Sequence, residues 1–407
     1  MKRTFLLFLA LFFFKLNAQN ADPYKIDYSN SEPLEYQDDL DDESTDNTAK
    51  KHDLKSSVNP DEPDMKFEYD NYTPRGLVGT GFSFFPIYER VDSNTTVGGL
   101  DFSYYFRRYG EPPQSNPNYI RTVFTAGQNQ YVNLGIDFDN YWKNSEYNIY
   151  ASVNYLRRWA AYYEIGKNNP QLLGTYRADD ARFDLMYRQK ILPSSYIGAK
   201  YEYENDNMSS RTPSNVFDEK VFTGLTGGGV SGLGIVFGNL PNESIFSPRN
   251  SFAYELSGIF YLNILGSKSN FGKYTIDVRE YLGIFKNHVL ALQVYMNFTS
   301  GTPTYKQLPS IGDIFRAYSH DKYMDYHMMA IKGEYRWTLF EGFSLTAFLG
   351  AGYHSKAINK FRLNDYLPSY GAGFRYLLSQ ALNSYARLEY FEGRGSRGFM
   401  LGIGDDL

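Results

Sequence analysis

Residues 308–337 read Leu-Pro-Ser-Ile-Gly-Asp-Ile-Phe-Arg-Ala-Tyr-Ser-His-Asp-Lys-Tyr-Met-Asp-Tyr-His-Met-Met-Ala-Ile-Lys-Gly-Glu-Tyr-Arg-Trp. The last ten residues alternate. In an extended chain Met329, Ile331, Gly333, Tyr335 and Trp337 fall on one side, and Ala330, Lys332, Glu334 and Arg336 on the other. A soluble sheet would turn those three charges to water. A barrel whose outside faces lipid would turn them into a polar lumen, within reach of a loop cation such as Arg316.

The same period recurs from about residue 75 to the C-terminus, in segments about 20 residues apart divided by Gly, Pro, Asn and Ser. About sixteen strands are expected. Their cores are 76–89, 96–107, 119–127, 130–142, 147–157, 177–191, 195–204, 229–238, 251–262, 272–285, 288–298, 328–339, 343–354, 370–378, 385–391 and 398–404. Leu290, Leu292, Val294, Met296 and Phe298 would face out, with Ala291, Gln293, Tyr295 and Asn297 facing in. Slipping 274–282 by one residue would put Asp277 and Arg279 into lipid, at about 2–4 kcal/mol for the Arg near the midplane. The long connections expected at 158–176, 205–228, 300–327 and 355–369 all follow odd-numbered strands. The tight ones at 143–146, 192–193, 286–287 and 341–342 follow even-numbered strands. Such barrels place long loops outside and short turns on the periplasmic side. Two connections break the pattern, 108–118 being long for a turn and 128–129 short for a loop.

Ahead of the barrel, Lys2 and Arg3 precede an apolar run at 5–14 and a small-residue site at Leu16-Asn17-Ala18, the pattern of a secretory signal over residues 1–18. Residues 19–73 carry 16 acidic and five basic side chains and little apolar patterning, the signature of a disordered periplasmic segment, taken here as 19–74. The barrel is assigned to 75–407. Aromatic residues make up 18% of the chain, with 38 Tyr and 31 Phe, which suits aromatic girdles better than the rival soluble sandwich or propeller. No window holds the roughly 18 consecutive apolar residues of a membrane-spanning helix. With no Cys there is neither a disulfide nor an N-terminal lipid anchor.

Near the end, Ser396, Gly398, Leu401 and Ile403 stand at the first, third, sixth and eighth places of a run that resembles the C-terminal signal of outer-membrane barrels, although the chain closes on Asp405-Asp406-Leu407. Further segments carry a second resemblance. They are Gly232-Leu-Gly-Ile-Val-Phe237 with Ile245-Phe-Ser-Pro248, Leu308-Pro-Ser-Ile-Gly312, Phe315-Arg316-Ala317-Tyr318, Glu334-Tyr-Arg336, Phe348-Leu-Gly-Ala-Gly352 and Ser369-Tyr-Gly-Ala-Gly-Phe-Arg375. Together they resemble the barrel of the bacterial surface-antigen superfamily, the BamA/TamA-like insertases and translocases of the outer membrane of Gram-negative bacteria. Residues 76–228 match in periodicity only.

The resemblance implies that the loop carrying Phe315, Arg316, Ala317 and Tyr318 folds into the lumen as a plug. Its Arg316 would meet the inner wall, where Lys332, Glu334 and Arg336 are the candidate partners and Glu334 the acidic one. Gly350 stands where a second carboxylate is common. Ala317 stands where the family has Gly, so a positive φ there would be strained. The resemblance also implies a role in outer-membrane protein assembly or translocation. Residues 19–73 are too few and too polar for a POTRA module, so a barrel-only branch acting within a larger complex is expected. The alternatives are a structural accessory barrel and a passive diffusion porin. Expected partners are outer-membrane lipids, other outer-membrane or periplasmic proteins, and a second copy in a homo-oligomer.

Catalysis is not expected. Gly227-Gly-Gly-Val-Ser-Gly-Leu-Gly234 lacks the Lys-Ser/Thr of a phosphate loop, and Ser231 is not in a nucleophile elbow because Leu233 occupies the last position. The five His show no metal-ligand spacing, so neither a metal nor another cofactor is expected. No basic stripe supports nucleic-acid binding.

Overall fold

The computed structural model describes residues 78–403 except 91–94, 109, 112–115, 240–247, 341 and 380–383. The expected signal at 1–18 and acidic segment at 19–74 lie outside the described residues. The strands are β1 (Val78–Arg90), β2 (Thr96–Arg107), β3 (Asn118–Gly127), β4 (Val132–Trp142), β5 (Tyr147–Tyr163) and β6 (Leu172–Lys190). They continue with β7 (Ser195–Thr212), β8 (Gly227–Asn239), β9 (Ser251–Tyr261), β10 (Phe271–Phe285) and β11 (His288–Gly301). The last are β12 (His327–Phe340), β13 (Phe343–Ser355), β14 (Leu367–Ser379), β15 (Ser384–Gly393) and β16 (Ser396–Ile403). Each pairs antiparallel with its sequence neighbours, and β1 closes on β16 to give a sixteen-stranded all-β barrel.

Burial is inverted relative to a soluble protein. On β12, Lys332, Glu334 and Arg336 are buried, while Ile331, Tyr335 and Trp337 are exposed on the outer face. The same holds on β11, where Ala291 and Gln293 are buried and Leu292 is exposed. Closure pairs the first strand with the last, which is the condition for β-structure to stand in hydrocarbon. Among the described residues no helix is long and apolar enough to cross a membrane.

Aromatic side chains gather where the short turns lie. Trp142 stacks on Tyr147 at 5.6 Å beside Tyr187, His288 stacks on Trp337 at 5.7 Å, and Phe340 on Phe343 at 5.1 Å. These rings mark one interface of the bilayer.

The strands match the alternation closely except in one region. β5 runs to Tyr163 rather than 157, β6 begins at Leu172 rather than 177, and β7 runs to Thr212 rather than 204. The loops expected at 158–176 and 205–228 therefore shrink to 164–171 and 213–226. Above the apolar band the outward positions become polar (Arg157, Arg177, Asp179, Asn205, Asn207), so hydrophobic alternation fades while backbone pairing continues. The short connection after β3 is a tight turn in which Asn129 and Gln130 take φ of 56° and 60°.

The outward face tolerates size better than charge. Leu292→Arg should destabilise the barrel by about 2–4 kcal/mol in urea unfolding from lipid vesicles, and Leu292→Phe by less than about 1 kcal/mol.

Candidate functional site

The connection from β11 to β12, residues 302–326, has a structure of its own. Tyr305–Gln307 forms a short 3-10 turn, and Ile311–Asp313 a second one closed by a capping box. There the Ser310 hydroxyl accepts from the Gly312 amide at 3.1 Å, and the Asp313 carboxylate accepts from the Ser310 amide at 3.1 Å. The two halves of the loop meet as a bridge between Ser310 and Met324, where Ile311 N donates to Tyr323 O at 3.1 Å and Asp325 N to Pro309 O at 3.2 Å. The loop is thus a compact unit whose backbone groups are largely satisfied internally.

Its two sides pack on different parts of the wall. Tyr305, Leu308 and Met324 join Ala160 and Tyr162 of β5, Tyr176 and Ala178 of β6 and Met208 of β7 in one buried cluster, with Tyr162 edge-on to Tyr305 at 5.2 Å. Ile311, Phe315, Ala317, Tyr318 and Tyr323 join Met328 and Ala330 of β12, Leu367 of β14 and Phe391 of β15 in another. The loop therefore crosses the lumen.

Polar contacts follow the same division. Toward β5–β7, Lys306 Nζ lies 3.0 Å from Asp180, Gln307 donates to Glu204 at 2.6 Å, and the Arg158 fork grips both oxygens of Asp321, one at 2.8 Å. Lys306 and Asp180 are each about 2% exposed. Burial alone would raise the Asp321 carboxyl, but the Arg158 guanidinium outweighs it and holds the group well below the usual carboxylate range. Toward the other wall, Arg316 binds Glu389 of β15, and Asp325 lies 3.4 Å from His354 of β13. The Tyr318 hydroxyl donates to Pro368 O and accepts from the Arg394 amide at 2.9 Å.

The expected pairing of Arg316 with Glu334 is corrected: the acidic group that the structure places against Arg316 is Glu389, only 1% exposed. Glu334 is engaged by Arg336 two residues along the same inner face, at 2.6 Å, and by Arg375 of β14, at 3.5 Å. The loop reaches past β12 because glycines on the inner wall seat its bulky groups. A Cβ on Gly350 would stand 2.4 Å from the Phe315 ring, and one on Gly393 would stand 2.8 Å from Tyr318 and 2.9 Å from Ala317. Gly350, noted for its missing carboxylate, is the floor beneath Phe315. Ala317 does not take a positive φ, so the strain expected there is absent. Lys332 is buried on the inner face and lines, with Phe315, Arg316 and Ser369, a small gap between loop and wall.

Of the C-terminal signal residues, Ser396, Gly398, Leu401 and Ile403 all lie on β16, in register with Gly393, Phe391, Leu388 and Ala386 of β15. The sequence reading missed Glu389, Arg375 and Arg387 as members of the charged layer. Arg387 lies 3.5 Å from Glu389, and the alternation Arg387, Glu389, Phe391 on a strand already recognised was the available signal. Lys306, Asp180, Arg158 and Asp321 carried none, since the members of each pair are far apart in the chain. Among the described residues no group of three or more His, Cys, Asp or Glu is placed to hold a metal.

Removing Arg316 takes its guanidinium away from the buried Glu389 and leaves Arg387 at 3.5 Å. Arg316→Ala should cost about 3 kcal/mol of barrel stability, read by urea unfolding, and should make the loop sensitive to added protease. Glu389→Gln should release the loop likewise, and Glu334→Gln should leave loop protection intact. A depressed carboxyl stabilises above its unfolded pKa and loses that contribution as pH falls toward the folded value. Loop protection should therefore be flat from about pH 8 to pH 5 and fall only below about pH 4, and Asp321→Asn should weaken it at neutral pH.

No family model matches the sequence, and no curated protein matches it. Solved structures do. BamA from Haemophilus ducreyi lacking POTRA domains 1-3 superimposes with TM-score 0.49 at 12% identity, over 80% of this chain and 70% of that one. CdiB from Acinetobacter baumannii superimposes with TM-score 0.53 at 9% identity, over 79% of this chain and 59% of that one. This chain thus spans less than two thirds of the CdiB chain, and at these identities the likeness is one of fold: a sixteen-stranded closed antiparallel barrel similar to the one in CdiB.

Proposed function

We propose that this chain is an outer-membrane barrel of Gram-negative bacteria that acts in protein assembly or translocation, as a partner within a larger complex. The supporting observation is a lumen crossed by a loop that is anchored on β15, one strand from the β1–β16 closure. Among the described residues β1 and β16 are in register at Tyr88 with Leu401 and Glu89 with Met400. The resemblance of 229–407 to the BamA/TamA-like superfamily and the CdiB-like fold point the same way. In this reading residues 1–18 direct export and residues 19–74 lie in the periplasm.

A second reading, a structural accessory barrel with no transport of its own, is favoured by the ion pairs that fix the loop to both sides of the lumen. The same crossing argues against a passive diffusion porin.

Cysteine locking separates the readings, because the chain has no Cys of its own. Full-length protein carrying Tyr88→Cys and Leu401→Cys is reconstituted into vesicles, and the folding of an added unfolded barrel protein is followed. Seam-dependent insertion predicts acceleration when the pair is reduced, loss when it is oxidised, and recovery with reductant. No acceleration in either state, with stoichiometric partners co-purifying from native membranes, is the result expected of the accessory barrel.

A further inference from the structure

The outer surface of β5 and β6 holds a charged group that neither the plug nor the seam uses. Tyr155, Arg157, Arg177 and Asp179 all occupy outward positions of the alternation, in register with Ala181, Asp179, Trp159 and Arg157. Asp179 lies between two cations. It accepts from Arg157 Nε and from Arg177 Nε at 3.2 Å, and the Tyr155 hydroxyl donates to it at 2.9 Å. Both contacts to Asp179 run through Nε, which leaves the paired Nη edge of each guanidinium turned away from the carboxylate. The two Arg side chains are 38% and 32% exposed, against 12% for Asp179. One carboxylate thus orients two forks, and the group keeps one net positive charge.

Its height is fixed by the aromatic rim. From Tyr147, stacked on Trp142 at the short-turn interface, ten residues of β5 lead to Arg157. At about 3.3 Å per residue and a tilt of about 40°, that is ~25 Å, the height of an outer-membrane apolar band. Between them the outward face of β4–β6 is apolar, with Leu134, Ile136, Val153 and Leu185 exposed. Just above stands Trp159, 41% exposed on the outer face. The guanidinium pair therefore sits at headgroup level on the side of the long loops, above a bed fit for acyl chains.

We infer that Arg157 and Arg177, oriented by Asp179, bind the phosphate of an anionic lipid in the outer leaflet. Two forks with free Nη edges match phosphate oxygens in geometry and charge, and a planar guanidinium suits this role better than an ammonium. Asp179 is a positioning residue: it holds the forks apart and keeps them from folding onto the sheet.

The test uses the full-length protein from mixed micelles containing equal amounts of phosphatidic acid and phosphatidylcholine, with retained lipids identified by native mass spectrometry. The wild type should retain phosphatidic acid in preference to phosphatidylcholine. Arg157→Gln with Arg177→Gln should lower that preference about thirtyfold, since each interfacial cation adds about 1 kcal/mol to anionic-lipid binding. Heat-modifiability should be unchanged, because the group lies outside the lumen. Arg157→Lys with Arg177→Lys should recover only part of the preference, as expected if the fork rather than the charge alone is read. Equal retention of the two lipids by the wild type would overturn the inference without any variant. So would equal retention of phosphatidic acid by the wild type and the double Gln variant, or its displacement by millimolar inorganic phosphate, which would mean a site for free anion.

Discussion

Charges that point into a barrel in lipid must find partners inside it, and this requirement shapes most of what the chain does. Asp101 on β2 is held by Arg121 at 2.6 Å, and Glu389 on β15 by Arg316 of the loop. An isolated buried charge costs several kcal/mol and a paired one far less, so the lumen must be filled or wetted. Here much of the filling is done by residues 302–326. Their aromatic and aliphatic side chains supply packing, and Lys306, Arg316 and Asp321 supply the complementary charges.

The barrel was legible in the sequence because its physics is local. A strand with lipid on one side and a polar lumen on the other must alternate, and each segment shows that by itself, as 288–298 and 328–339 do. Register followed, because a slip would expose Asp277 and Arg279 to hydrocarbon. What failed was the extension of β5–β7 beyond the bilayer: outward positions such as Arg177, Asp179, Asn205 and Asn207 turn polar there while Ala160, Tyr162, Tyr176 and Met208 pack inward, so the apolar-out alternation that marks the other strands is lost.

The loop was legible as a long connection bearing an Arg between bulky groups, but the partner of that Arg was not. Glu334 looked suitable because it is inward and close in sequence. Pairing across a lumen is decided by how the loop folds and where the wall can receive it, and two glycines far apart in the chain, Gly350 and Gly393, set that path. The nearer carboxylate was already taken by Arg336 and Arg375, a competition that can be seen only when β12 and β14 are brought side by side. The Lys306–Asp180 contact was equally hidden, since its members lie 126 positions apart.

Glu389 stands on β15, one strand from the seam, while Lys306 and Gln307 are fastened to β6 and β7 on the far wall. Mechanically the loop is a tie-rod across a hoop whose closing joint lies beside one of its anchor points. Any outward swing of β15 and β16 loads the Arg316 end first and leaves the other end fixed. The hoop and the rod are then one elastic element, and tension at the joint is felt at the centre of the lumen before the wall has parted.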